Sequence, residues 1–169
     1  MVLRNDIVRK TVFTVSLILA AVWMCVIFGF SSNDAEESTA QSNTVTRFII
    51  GMLNPEFDNM SEEQQQEMID ELDGIVRKIA HFTAYAVLGA LLCVSIYHAP
   101  FAVSKPCLWP MTICAVFAVT DEYHQTFVDG RAGQLKDVII DSLGAACGIA
   151  FAAVVIILIK KKMQNKRET

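Results

Sequence analysis

Three short runs in this sequence set histidine, carboxylate and arginine side chains at helical spacing: Arg77-Lys78-Ile79-Ala80-His81, Asp121-Glu122-Tyr123-His124-Gln125 and Asp137-Val138-Ile139-Ile140-Asp141. Each borders an apolar stretch, where an ionisable side chain is costly and marks a site or a buried polar lock. Residues three or four apart share a helix face. That groups Arg77 with His81 and Tyr85, Asp121 with His124 and Gln125, and Asp137 with Asp141. In one reading His81 or His124 moves a proton while Asp121, Glu122, Asp137 or Asp141 orients the imidazole. In a second, Arg77, Lys78 and Arg131 hold an anionic group through charge-assisted hydrogen bonds. In a third, the same groups satisfy one another and lock three helices in register.

His81, His124 and the carboxylates are also metal-ligating types. There is no H-E-x-x-H and no tight His/Cys cluster, so neither a metal nor a cofactor is assigned. No serine or cysteine lies in a nucleophile elbow. Cys25, Cys93, Cys107, Cys114 and Cys147 show no C-x-x-C spacing and lie in or beside apolar stretches. They read as small hydrophobes rather than disulfide partners or ligands.

The elements that must position these runs are apolar. Of the 169 residues, 53% are hydrophobic, and they gather into four stretches at about 11–30, 79–98, 106–125 and 138–159. Each approaches the roughly 20 residues that a helix needs to cross a bilayer. The first is longer than the apolar region of a signal peptide, and no small-x-small site follows Phe30, so it reads as an uncleaved span. The expectation is one domain over 1–169 with an all-α fold. It is a four-helix transmembrane bundle with amphipathic helices in the first extracytoplasmic loop, residues 31–76.

Charge sets the orientation. Lys160, Lys161, Lys162, Lys166 and Arg167 follow the last stretch, and with four spans they share a side with Arg4, Arg9, Lys10 and Lys105. Positive residues favour the cytoplasm, so both termini are expected there. The net charge of −4 therefore covers a polarised molecule, acidic outside and basic inside. The basic tail is suited to anionic lipid headgroups, and no nucleic-acid partner is expected.

This topology puts all three charged runs at the outer ends of their helices. A span of about 20 residues from Pro106 ends near Gln125, and His81 and Asp141 each stand one turn inside the preceding charge. In the outer loop, Ser61-Glu62-Glu63-Gln64 has the form of a capping box. Met68, Leu72, Ile75, Val76 and Ile79 continue behind it at helical spacing, and Val45, Phe48, Ile49, Met52 and Leu53 make a similar stripe upstream. Gly144-Ala145-Ala146-Cys147-Gly148 is a G-x-x-x-G pattern, which admits close approach of another helix. Gly130 and Gly133 permit a tight return, and Arg131 between them can fold back over the carboxylates.

These pieces, in their order and spacing, resemble the VanZ-like family of bacterial membrane proteins. The resemblance covers most of the chain. It rests on Arg77-Lys78-Ile79-Ala80-His81-Phe82 with Tyr85 and Gly89, on Asp121-Glu122-Tyr123-His124-Gln125 with Gly130-Arg131, and on Asp137-Val138-Ile139-Ile140-Asp141 with Leu143-Gly144. Phe30-Ser31-Ser32 with Ser38 and Ser42 is a weaker match. Asp129 stands where the family often has proline, and Asn33 where glutamine is common. The resemblance implies a multi-pass protein of the bacterial cytoplasmic membrane, and the family's namesake is associated with resistance to the glycopeptide teicoplanin. The site expected from residues and resemblance together comprises Arg77, His81, Asp121, Glu122, His124, Gln125, Arg131, Asp137 and Asp141. Its expected partners are membrane lipids, with a lipid-linked cell-wall precursor or a glycopeptide as candidate ligand. The alternative is a membrane enzyme performing acid/base chemistry on a lipid-linked envelope substrate. A transporter is disfavoured, because no charged pathway crosses the inner halves of the helices.

Overall fold

The computed structural model describes residues 2–33, 35–129 and 133–168. Gly130, Arg131 and Ala132 lie outside them, as do the side chains of Arg4, Ser38 and Arg167. The described chain is α1 (Val2–Ser31), α2 (Ala35–Leu53), a 3-10 turn at Phe57–Asn59, α3 (Glu62–Tyr97), α4 (Leu108–Gln125) and α5 (Leu135–Glu168). No strand occurs among the described residues.

Among the described residues, three helices are long and apolar enough to cross a membrane: Asp6–Ser31, Glu62–Tyr97 and Leu135–Lys166. The fourth expected span, α4, has 18 residues and falls short by composition, because its last five are Asp121, Glu122, Tyr123, His124 and Gln125. Pro110 is tolerated in its first turn, where the backbone N–H has no intrahelical partner to lose.

The helices outrun the apolar stretches. The expected second amphipathic loop helix is not a separate element. It is the first part of α3, whose 36 residues span about 54 Å at 1.5 Å per residue, well beyond a hydrocarbon core of about 30 Å. The helix starts where the sequence signals it. Ser61 caps Gln64, and the Gln64 side chain returns to the Ser61 backbone N–H. No proline follows before Tyr97, so nothing stops the helix at the membrane boundary.

α2 runs antiparallel to this first part of α3, as shown by Thr39 beside Arg77 and Arg47 beside Gln65. Its packed face carries Thr46 and Ile50 against Phe57 and Ile69. The apolar stripe Val45-Phe48-Ile49-Met52-Leu53 is the exposed face. Arg47 and Thr39 join α2 to α3 through their partners there.

The most extensive seam joins α3 and α5, and it is built from small residues. A Cβ on Gly144 would strike the Phe82 carbonyl, one on Gly148 the Ala86 carbonyl, and one on Gly89 the Ala145 backbone. Between helices in lipid, such close packing replaces the hydrophobic effect as the adhesive force. α1 lies against α3, with Trp23 Nε1 donating to the Ala84 carbonyl at 2.8 Å. Tyr85, Leu88, Cys114, Ala118 and Ala145 are completely buried where α3, α4 and α5 meet.

Candidate functional site

The glycine seam decides which side chains face each other across α3 and α5. Asp141 lies three residues before Gly144, and His81 immediately precedes Phe82, so contact at Gly144 brings the histidine and the aspartate together. His81 Nδ1 stands 3.6 Å from Asp141 Oδ1. The imidazole is one-quarter exposed and the carboxylate not at all. Neither Asp141 oxygen has a hydrogen-bond donor within bonding distance. The pair is thus a partly accessible base over a buried anion in a water-poor setting, where one unit charge acts strongly on another.

Asp121, from the last turn of α4, completes the interior. It is fully buried and lies beside Ser31 at the end of α1. The charges of Asp121 and Glu122 reach His81, and those of Asp121 and Asp141 reach the Tyr85 hydroxyl. That hydroxyl is buried without a hydrogen-bond partner. A tyrosine one turn from His81 on the same helix face is therefore part of the cluster.

Glu122 has a different task. Its Oε2 accepts the Gln134 backbone N–H at 2.9 Å, and its Oε1 accepts from the Gln125 amide at 3.3 Å. A side chain at Gly133 would collide with the Glu122 carbonyl, so glycine lets the chain entering α5 press against α4. Glu122, Gln125 and Gly133 strap the two helices together at the mouth of the cluster.

His124 faces α1, away from His81. It stacks on Phe28 with ring centroids 4.3 Å apart and meets Ser32 Oγ at 3.2 Å. Asp121 lies between the two histidines and is within electrostatic reach of both. Asp137 occupies the first turn of α5, half-buried, where the helix N-terminus favours a carboxylate. Arg77 sits apart from the cluster: its Nη2 donates to Asp73 at 2.8 Å and to Thr39 at 3.3 Å, tying α2 to α3. Lys78 is exposed, and Arg131 lies outside the described residues.

The structure therefore brings His81, Asp121, Glu122 and Asp141 into one cluster, with Gln125 and His124 on its flanks. Sequence reasoning left out Tyr85, Ser31 and Gln134 as members. Tyr85 shares the His81 face and Ser31-Ser32 ends the first apolar stretch, so both carried a usable signal; Gln134 acts through its backbone and carried none. Among the described residues, no three His, Cys, Asp or Glu side chains are arranged to hold a metal ion. The cysteines are free thiols, and only Cys93 and Cys114 are buried.

A family model described as VanZ/LLP1 matches residues 16–158. Comparisons with curated proteins and with solved structures gave no match. The match runs from within α1 to near the end of α5 and takes in every residue of the cluster, so the chain belongs to the VanZ-like family.

Proposed function

We propose that this VanZ-like chain is a multi-pass protein of the bacterial cytoplasmic membrane whose outward polar cluster acts on the head group of an envelope lipid or a lipid-linked cell-wall precursor. Through that action it modifies susceptibility to teicoplanin-type glycopeptides. In this reading α4 is the fourth span. Leu108, Trp109, Val116 and Val119 on it are exposed in the way lipid-facing residues are, and its polar last turn is spent in the cluster rather than in lipid. Both termini are then cytoplasmic, beside the lysines in the last turns of α5.

The observation that carries the reading is the His81–Asp141 pair. A buried carboxylate 3.6 Å from a partly exposed imidazole is an acid/base arrangement, which suits His81 to exchange a proton with a hydroxyl or phosphate of the head group. Asp121 and Tyr85 line the floor. Lys78 and Arg131 are the cations proposed to meet an anionic head group, since Arg77 is engaged by Asp73 and Thr39.

The polar lock is a second reading, and Glu122 favours it for one part of the cluster, because its hydrogen bonds hold α4 to the entry of α5. The two readings separate in a strain lacking the protein, complemented with His81→Ala, Asp141→Asn or Glu122→Ala. Membrane abundance and glycopeptide susceptibility are scored together. The site reading expects normal abundance and lost protection for His81→Ala and Asp141→Asn. Protection at wild-type level in both variants overturns it, and collapsed abundance in both makes the whole cluster a lock.

A further inference from the structure

At the opposite end of the molecule, α1, α3 and α5 leave a groove of about 610 Å³ between them. Thr11, Val15 and Leu19 form one wall, Leu91 and Val94 the second, and Phe151 and Val155 the third. The floor is made of small side chains, Ser16, Ala90 and Ala152. Ser16 does not make it polar, because its hydroxyl donates to the Val12 carbonyl at 2.7 Å. On each helix the lining covers about two turns, roughly 12 Å at 1.5 Å per residue.

The mouth has a charge of one sign. Lys10 immediately precedes Thr11, Lys160 immediately follows Ile159, and His98 is in the wall itself. Lys160 is held there, its ammonium 4.7 Å from the centre of the Tyr97 ring. Arg9 is held too, donating to the Pro100 carbonyl at 3.2 Å. Lys161 and Lys162 continue the set, and Asp6, one turn before Lys10, is the nearby acid. An apolar trough bordered in sequence by lysines on α1 and α5 is complementary to one kind of membrane component.

We propose that this groove is a binding site for an anionic phospholipid of the leaflet at the termini, with one acyl chain along the trough and the phosphate between Lys10, Lys160 and His98. The site is separate from the His81–Asp141 cluster and does not depend on its chemistry. Small residues make the trough, so a zwitterionic lipid could fill it as well; the cations supply the selection. Each lysine near an anionic membrane surface contributes about fivefold in affinity.

The test uses the full-length protein released from nanodiscs and native mass spectrometry to count retained lipid. Phosphatidylglycerol is expected to stay bound in preference to phosphatidylcholine by tenfold or more. Lys10→Gln with Lys160→Gln should remove most of that preference, and Val15→Trp, which fills the trough from a half-exposed position, should remove retention of both lipids. Equal retention of the two lipids by the wild type, or unchanged retention in Val15→Trp, overturns the site and leaves only loose surface attraction. A second measurement needs no variant. Phosphatidylglycerol carrying a photoreactive acyl chain should label peptides containing Val15, Val94 or Phe151. Labelling spread evenly over other lipid-facing positions such as Val22 and Val116 refutes the proposal.

Discussion

Asp141→Asn and Glu122→Ala should move stability in opposite directions, although both remove a buried carboxylate from one cluster. Glu122 is satisfied by a backbone N–H at 2.9 Å and a side-chain amide at 3.3 Å. A hydrogen bond to a charged group contributes about 1.5–3 kcal/mol, and the longer bond less, so truncation should cost about 2–4 kcal/mol. Asp141 is fully enclosed, with its nearest donor 3.6 Å away. Burying an anion with so little compensation costs several kcal/mol; asparagine keeps the shape without the charge, and His81, one-quarter exposed, is not left as a buried charge. The expected change for Asp141→Asn is therefore between zero and about 2 kcal/mol of gained stability. A gap of at least about 2 kcal/mol between the variants corresponds to roughly thirtyfold in the folding equilibrium. Reversible unfolding in mixed micelles by titration with sodium dodecyl sulfate measures it, followed by helical circular dichroism. Trp23 fluorescence gives a second probe, since its indole is bonded across the α1–α3 seam. If Asp141→Asn loses as much stability as Glu122→Ala, the carboxylate is satisfied in a way the geometry does not show, and its assignment as a working group collapses.

Gly144→Ala should cost about 1–3 kcal/mol by overpacking and should abolish protection together with it, whereas Gly29→Ala, where a side chain meets open space, should change neither. His124→Ala removes the Phe28 stack and the Ser32 contact; it should cost about 1–2 kcal/mol, a stacking contribution plus one hydrogen bond, measured in the same micelle titration. Ser61→Ala removes the reciprocal cap of α3 and should cost about 1 kcal/mol, visible as faster hydrogen exchange confined to the outer turns of α3, with protection intact. In a background with the five cysteines replaced, Asp129→Cys should react with an impermeant maleimide added to intact cells and Asn165→Cys only after lysis; the reverse pattern inverts the topology.

Much of this architecture was legible because membrane helices announce themselves by composition. The capping residues at Ser61 and Gln64 also located one helix start to the residue. Hydropathy alone would begin the long helices late for a physical reason: it reports where lipid begins, while a helix continues until something stops it. Nothing between Ser61 and Tyr97 stops α3, so the boundary near Ile79 is a change of surroundings and not of structure. Periodicity alone also left open which face of α2 packs on the protein. Val45, Phe48, Ile49, Met52 and Leu53 form an apolar stripe that is exposed, while Thr46 and Ile50 are buried, and Arg47 on Gln65 and Thr39 on Arg77 join α2 to α3. Those are long-range polar pairings that no periodicity contains. Arg77 was drawn to the cluster for a similar reason. Spacing put it on the His81 face, and Asp73 one turn the other way holds it.

Position along one helix does not by itself make a site, and the cluster shows what does. His81 and Asp141 are 60 residues apart in sequence numbering and come together because α3 and α5 touch backbone to backbone at Phe82–Gly144 and Ala86–Gly148. The glycines that let the helices approach lie one and two turns below the aspartate on the same face of α5. Helix separation and the His81–Asp141 distance are thus one variable. This is why the G-x-x-x-G pattern and the charged run cannot be read as independent motifs, one structural and one functional. A methyl group at residue 144 would act on the His81–Asp141 pair, which it never touches, by widening the seam beneath it. The strap from Glu122 to Gln134 closes the same arrangement from the α4 side. A cluster held from two directions by backbone contacts keeps its geometry when the charge on one carboxylate is removed, and that rigidity is what allows stability and function to be separated by mutation.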